Sequence, residues 1–343
     1  MSEKMQVWQL AEWGKENLQI AERDVPRPGP KDVLVRVRAV SLNFRDLPAL
    51  DGIHLPEQVP RPYTPCSDMG GEVVEIGADV KRFQVGDRVS ANFYTRWLDG
   101  MPPADMHLNI SALSLDLQGT LAEYVLVPEA AVVRAPDGLS MEEIATLPVA
   151  ALTAWSALVT EGRLRAGQSV LLQGTGGVSL FGLQFARMFG ARAIITSRSA
   201  EKLKRARALG ATDVIDTRED PHWAARVLEI TAGRGVDHIF ETVGGESYRK
   251  SVEAAAMDAR ITTIGFLGSI EFALPIIPLM VRRIVIQGLS VGHRRAFEDM
   301  LAAIEVNRLA PVIDQIYDWK EVHAAFDHLA RGAFGKIVIS VNP

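Results

Sequence analysis

The stretch Val170-Leu-Leu-Gln-Gly-Thr-Gly-Gly-Val-Ser-Leu180 places the tightest limit on what this chain can fold into. A short apolar run meets a glycine cluster, and a long amphipathic run follows. That order predicts a strand, a tight turn and the start of a helix. Within Gly174-Thr175-Gly176-Gly177-Val178, Gly174 lets the chain turn sharply and Gly176 lets the backbone come close to a pyrophosphate. The N–H groups at the helix start, with the helix dipole, suit a negative charge. Ser179 stands where the usual pattern has its third glycine, and it is small enough for close helix–strand packing. With the strand before it and the helix after it, the cluster reads as a dinucleotide-binding turn.

The surrounding sequence alternates the two periodicities. Strands are expected at 168–173, 191–196, 213–216, 236–241, 260–265 and 284–291. Helices are expected at 178–188, 201–209, 222–231 and 247–256. Repeated βα units of this length imply a doubly wound parallel sheet with helices on both faces, and so an α/β fold. The first 150 residues read differently. Val33–Val40 and Gly71–Gly77 look like short strands, with a further strand region at 119–127, all punctuated by glycine and proline. This predicts a β-rich, barrel-like domain. The last fifty residues hold two helical patterns and a final strand, 336–341, with no partner in the central unit. A chain that leaves the first domain and returns to it accounts for that strand. The expected division is 1–149, 150–292 and 293–343.

Composition removes several classes. The 343 residues are 48% hydrophobic, enough for a large core. A net charge of -5 gives no reason to expect nucleic acid or an acidic membrane surface as partner. No secretory signal follows the N-terminal residues, and the uncharged run 144–160 is short and contains Pro148, so a buried helix is expected there. The single cysteine, Cys66, excludes an internal disulfide and a cysteine-rich zinc site. A reducing cytoplasm fits these features.

Taken together, a series of motifs resembles the medium-chain dehydrogenase/reductase superfamily. They are Asn43-Phe-Arg-Asp46, Pro65-Cys-Ser-Asp68 before Gly70-Gly-Glu-Val, Phe83-x-x-Gly-Asp-Arg-Val89, Leu147-Pro-Val-Ala-Ala-Leu-Thr-Ala-Trp155, the glycine turn, Glu241-Thr-Val-Gly-Gly245 and Gly335-Lys-Ile-Val338. The resemblance implies a GroES-like domain, a Rossmann domain inserted before the C-terminal return, and a cleft for nicotinamide and substrate. It places Thr153 near the nicotinamide, with Thr242, Val243 and Gly265-Phe266-Leu267 on the same side and Gly292 and Lys336 close by. Zinc members of the family put cysteine, histidine and cysteine in the cleft. The matching positions here are Asn43, Ser67 and a residue near Ala150, none of them a strong zinc ligand. The stretch 94–124 also lacks the four cysteines of the structural zinc lobe. No metal is therefore expected, and the chain is similar to the zinc-free, quinone-oxidoreductase-like branch.

The second strand ends Ala193-Ile-Ile-Thr-Ser-Arg-Ser199, without the acid that commonly bonds the ribose 2′-OH of NAD. Ser197 and Arg198 stand there, with Lys202 one turn on. A hydroxyl and a guanidinium suit a 2′-phosphate, so NADP(H) is favoured and NAD(H) is the alternative. Without a metal to stabilise an alkoxide, activated acceptors such as quinones and conjugated carbonyls are the easier substrates. Asn43 is the candidate donor to a substrate oxygen. Asp46 either orients it, bonds the nicotinamide ribose, or pairs structurally with Arg45 or Arg61. Tyr94 offers a hydroxyl or packs in the wall, and the irregular stretch 94–119 is either a substrate lid or filler. Cys66 lacks a matched base and reads as buried. The edge strand near 284–291 predicts a homodimer, because the resemblance implies that such strands join across a two-fold axis. The leading function is a zinc-independent oxidoreductase acting on a small molecule. The alternatives are an alcohol dehydrogenase or carbonyl reductase using the same cleft, and a cofactor-binding protein with little turnover.

Overall fold

The short β-branched runs of the N-terminal region form strands. A computed structural model describes residues 3–53, 55, 59–106 and 111–342. Strand β1 (Lys4–Leu10) pairs antiparallel with β2 (Leu18–Asp24). The larger sheet is built on β3 (Asp32–Ser41), which pairs along its length with β4 (Asp68–Ile76). Then come β5 (Arg88–Ala91), β6 (Tyr124–Pro128) and β7 (Val132–Arg134). β6 lies against the first half of β3, from Asp32 to Arg36, and leaves its second half open. Val33, Val35, Val37 and Val40 sit in the core of this unit with Leu10, Tyr63 and Phe326.

The central βα units form a second body. Its strands are β8 (Ser169–Gln173), β9 (Arg192–Ser197), β10 (Asp213–Asp216), β11 (Val236–Glu241), β12 (Ala255–Thr263) and β13 (Val285–Gly288). All pairings are parallel, in the order β10-β9-β8-β11-β12-β13. Helices Gly177–Met188, Ala200–Ala208, Trp223–Ile230 and Ser247–Ala254 make the crossovers. Every residue of β8 is buried, as expected of a central strand covered on both faces. The order reverses beside β8, where the glycine turn lies, so the turn sits at a topological switch point.

The chain then adds β14 (Ile313–Tyr317) and β15 (Lys336–Ser340). β15 fills the open second half of β3, pairing Val338 with Ser41, and carries β14 parallel on its far side. By contacts the chain divides into Met1–Leu152 with Val291–Pro343, and Thr153–Ser290.

Several local expectations need adjusting. The strand region expected at 119–127 becomes regular only at Tyr124–Pro128, and that expected at 284–291 spans only Val285–Gly288. The uncharged run after Ile144 is helical apart from a turn at Thr146, but Leu147–Ala151 and Ser156–Thr160 are π-helical. Pro148, which lacks an N–H donor, lies in the first of these wide turns. β14 and the helix Ile276–Arg282 were not anticipated. The sequence of that helix, Ile-Ile-Pro-Leu-Met-Val-Arg, is apolar at nearly every position and so shows no polar face, and it contains a proline. Among the described residues no helix is long and apolar enough to cross a membrane.

Close packing in the second unit falls on Gly182 as well as Ser179. A Cβ at Gly182 would lie 2.7 Å from both Leu172 Cδ2 and Phe240 Cε2. Alanine would gain about 1 kcal/mol of helix propensity, but overpacking a buried site costs about 1–3 kcal/mol. Gly182→Ala is therefore expected to lower the midpoint of chemical or thermal unfolding. An equal or higher midpoint would show that Leu172 and Phe240 give way freely.

Candidate active site

Two sets of residues emerge, one in each unit. In the second unit, β8 ends at Gln173 and the chain turns at Gly174, whose φ of +78° lies in the region open to glycine. Gly176 is the N-cap of the helix Gly177–Met188 and brings no side-chain cap to its N–H groups. A Cβ at Gly176 would meet nothing within 4 Å, so the space before the turn is open. Ser179 donates its hydroxyl to Gln173 O at 2.7 Å, tying the first helical turn to the strand end.

Gln173 and Glu241, at the ends of adjacent strands, hold the neighbouring loops. The buried Glu241 carboxylate accepts from the N–H groups of Val243 and Gly244 at 3.1 and 3.0 Å. It also accepts from Gln173 Nε2 at 2.8 Å and from the hydroxyls of Ser247 and Ser251 at 3.2 and 2.5 Å. Thr242 returns two bonds to Gln173, its N–H to Oε1 at 3.1 Å and its hydroxyl to the carbonyl at 3.2 Å. The loop after β12 is laced to the one after β11: Gly265 N–H reaches Glu241 O, and Leu267 N–H reaches Thr242 O, both at 3.2 Å. Phe266 and Leu267 are thereby left exposed. The structure thus brings Gly174, Thr175, Gly176, Gly177, Val178, Thr242, Val243, Gly265, Phe266 and Leu267 to the C-terminal ends of three adjacent strands. Gln173 and Glu241 were given no role from the sequence. For Gln173 the available signal was a polar residue closing an apolar run, and for Glu241 its place at the head of the motif Glu241-Thr-Val-Gly-Gly245.

The end of β9 lies beside this set, with Thr196 opposite Gln173. Ser197 is buried, and its hydroxyl accepts from Ser199 N–H at 3.2 Å. Ser199 in turn caps the helix by accepting from Lys202 N–H. Arg198 is exposed and Lys202 half-buried. Thr153 is buried in the same unit.

In the first unit, register builds the site. Ser41 lies opposite both Val338 on β15 and Asp68 on β4. Asn43, two residues past Ser41, and Lys336, two before Val338, therefore meet at the same sheet end as Asp68. The buried Lys336 Nζ donates to Leu42 O and to Asn43 Oδ1, each at 2.7 Å, with Asp68 Oδ2 at 3.8 Å. Asp68 accepts from the Ser67 hydroxyl at 3.0 Å and Val149 N–H at 3.3 Å. Asp46 Oδ2 accepts from Asn43 N–H at 2.7 Å, and Arg45 Nη1 lies 3.5 Å from its other oxygen. Arg61 instead stacks over the Trp13 ring.

Burial dominates the electrostatics. It pushes Asp46 up to about 6, against the opposing pull of Arg45. It raises Asp68 despite Lys336, and lowers Lys336 despite Asp68 and Asp46. An Nζ facing two carbonyl oxygens and a carboxylate has the surroundings of an ammonium ion, so we treat the Lys336–Asp68 pair as charged.

Other expected residues lie apart from this cluster or pack against it. Tyr94 is buried in an aromatic group, with ring centroids 4.6 Å from Phe93 and 6.2 Å from Trp97. That favours the packed reading of Tyr94. The stretch 94–119 is tied down by bridges between Tyr94 and Ala112 and between Leu113 and Leu117, while residues 107–110 lie outside the described set. Cys66 is buried, and burial together with Asp46 and Asp68 holds its thiol well above the usual range, which makes it a poor nucleophile. Gly292 is buried in the first unit. Among the described residues, no group of three or more His, Cys, Asp or Glu side chains is placed to hold a metal.

Comparison with known proteins agrees with this architecture. The alcohol dehydrogenase GroES-like domain family matches residues 29–137, and the zinc-binding dehydrogenase family matches 177–306. A zinc-type alcohol dehydrogenase-like protein of Schizosaccharomyces pombe is 39% identical over 96% of each chain. A quinone oxidoreductase of Pseudomonas aeruginosa is 31% identical over 74% of this chain and 70% of its own. A solved structure from Sinorhizobium meliloti 1021, provisionally assigned as an alcohol dehydrogenase, is 47% identical, with a TM-score of 0.94 over 99% of both chains. The chain belongs to the medium-chain dehydrogenase/reductase superfamily of oxidoreductases. Its first unit is the GroES-like domain and its second the Rossmann-like domain.

The raised pKa of Asp46 has a consequence for stability. The folded value, about 6, lies above the usual carboxylate value, so the folded chain binds the extra proton between about pH 4 and 6. Stability should fall as pH rises through that window, by about 3 kcal/mol for two units. Asp46→Asn keeps an oxygen acceptor for Asn43 N–H. It is expected to raise the melting midpoint relative to wild type more at pH 7.5 than at pH 5. A difference independent of pH would show that Asp46 is ionised across the range.

Proposed function

We propose that this chain is a zinc-independent oxidoreductase that prefers NADP(H) and reduces an activated acceptor such as a quinone or a conjugated carbonyl. The observation that carries the reading is the Lys336–Asn43–Asp68 cluster. At the positions matching zinc ligands stand Asn43 and Ser67, and the Asn43 oxygen is already committed to Lys336 Nζ at 2.7 Å. This donor set lacks the thiolates and imidazole that zinc prefers. The second unit suits a dinucleotide, with a glycine turn at the switch point, open space before Gly176, and loops fixed by Gln173 and Glu241. A bound nicotinamide cofactor supplies the hydride. The chain then has to hold its pyrophosphate at the Gly174–Val178 turn and read the 2′-phosphate with Ser197, Arg198 and Lys202. Asn43 engages the acceptor oxygen, and Asp46 fixes the Asn43 main chain. Thr153, Gly292 and Lys336 remain candidate contacts to the cofactor by family resemblance.

The relatives named as alcohol dehydrogenase-like favour a second reading, alcohol oxidation or carbonyl reduction on the same residues. It requires a group to take the alcohol proton, and Asp46, with a pKa of about 6, is the candidate in this cluster.

We further propose a homodimer. β13 is an edge strand, and the neighbouring helix exposes Ile276, Ile277, Met280 and Val281. Exposed edges and apolar patches of this kind mark association surfaces. Sedimentation at micromolar concentration should give a dimer, and a monomer would refute it.

Titration of purified protein with NADPH and NADH, followed by fluorescence, tests the cofactor assignment. A charge-assisted contact is worth about 1.5–3 kcal/mol, so Arg198→Ala should weaken NADPH by about tenfold or more and leave NADH nearly unchanged. Equal losses for both would overturn it. Reduction of 1,4-benzoquinone should survive dialysis against a chelator. Loss of turnover that zinc restores would reinstate the metal.

A further inference from the structure

Asn43 holds an unused donor. Its side chain is only 8% exposed, and Nδ2 is buried without a hydrogen-bond partner. Nδ2 lies close enough to Asp68 to lower the pKa of that carboxylate, without reaching hydrogen-bond geometry. Of its two N–H groups at least one therefore lacks an acceptor. A buried donor left unpaired is costly, and native structures keep few of them.

The other end of the amide explains its orientation. Lys336 Nζ donates to Asn43 Oδ1 at 2.7 Å. An ammonium has only donors, so the amide oxygen must face it and the NH2 must face away. Lys336 is itself fixed: Nζ also bonds Leu42 O at 2.7 Å, and its N–H bonds Val312 O at 2.9 Å. The Asn43 main chain is pinned by Asp46 Oδ2 at 2.7 Å. The amide thus has one orientation, set before any ligand arrives.

We propose that Lys336 is a positioning residue for the reaction, holding the Asn43 amide with its N–H groups ready to donate to the carbonyl oxygen of the acceptor. The inference rests on the reductase reading given above and assigns Lys336 to Asn43 in preference to the cofactor. In the step served, the acceptor gains hydride at carbon, its π electrons move to oxygen, and the cofactor is oxidised. Water supplies the proton that ends on the oxygen. Asn43 donates a hydrogen bond throughout and loses no proton. The charge of Lys336 polarises the amide and strengthens that bond as the oxygen becomes negative.

Two measurements on the full chain test this. In protein carrying ¹⁵N-labelled asparagine side chains, the Asn43 NH2 pair is assigned by its disappearance in Asn43→Ala. Lys336→Met should shift and broaden that pair, whether or not any acceptor is turned over. An unchanged pair overturns the proposal. Should Lys336→Met fail to fold because Asp68 loses its counter-charge, Lys336→Met/Asp68→Asn removes both charges and gives the same readout. In 1,4-benzoquinone reduction, Asn43→Ala should lower kcat by about 100-fold, the scale of losing one preorganised donor. Lys336→Met should lower kcat at least tenfold with the NADPH Kd within twofold, and the double variant Asn43→Ala/Lys336→Met should be no slower than Asn43→Ala alone. Additive losses, or a raised NADPH Kd in Lys336→Met, overturn the positioning role. If wild type reduces no acceptor while the NMR result holds, the reductase reading fails and the Lys336–Asn43 link stands.

Discussion

The pairing of the last strand with β3 is the constraint on which the first unit depends. β6 covers only the first half of β3, and β15 alone completes the second half. That ladder brings Lys336 to Asn43 across 293 positions of sequence. It also supplies the cation that faces Asp68, one of two fully buried carboxylates, the other, Asp46, lying beside Arg45. Buried charges persist only when paired and hydrogen-bonded. The polar cluster therefore depends on a segment that lies beyond the Rossmann unit in sequence.

In the second unit the same logic runs through one anion. Glu241 accepts from two backbone N–H groups, one amide and two hydroxyls, which offsets the loss of hydration of its buried carboxylate. Its partners come from the strand before the glycine turn, from its own loop and from the following helix. The turn is consequently backed by a rigid polar network, and the loops after β11 and β12 are laced to each other through main-chain bonds. With the main chain of these loops held inward, the side chains of Phe266 and Leu267 are left exposed.

Legibility in the sequence followed the strength of local signals. The β8 strand, its glycine turn and the helix after it form one uninterrupted pattern, and that pattern is also the observed structure. Asp213–Asp216 and Val236–Glu241 likewise stand where alternation and apolar runs placed them. The helix Ile276–Arg282 escaped because a short run that is apolar at nearly every position has no period to detect. β14 escaped because its outer residues Gln315 and Ile316 are exposed and its definition comes from pairing with β15. Asn43 and Asp46 were singled out through the motif Asn43-Phe-Arg-Asp46 that the chain shares with the family. The bond between Asn43 and Lys336 was not, because nothing local links positions so far apart. Gly182 was missed because its close approach depends on Phe240, a residue of another strand.

The Lys336 ammonium also bears on which chemistry the first unit favours. A zinc ion in a catalytic site keeps an open position, binds an alcohol oxygen directly and lowers the pKa of what it binds. An ammonium has no open coordination position for an alcohol oxygen, and its effect on the pKa of a neighbour is that of a nearby charge alone. Here its donors face Leu42 O, Asn43 Oδ1 and Asp68. Its influence reaches a ligand only through the amide it polarises, and an amide can donate a hydrogen bond but cannot remove a proton from an alcohol. Such an arrangement stabilises negative charge that arrives on an oxygen far better than it creates an alkoxide from a hydroxyl. The alcohol-oxidising reading therefore has to route its proton through Asp46, which already accepts from Asn43 N–H and faces Arg45. The reductive reading needs no rearrangement of the cluster, and that asymmetry is the physical reason to prefer it.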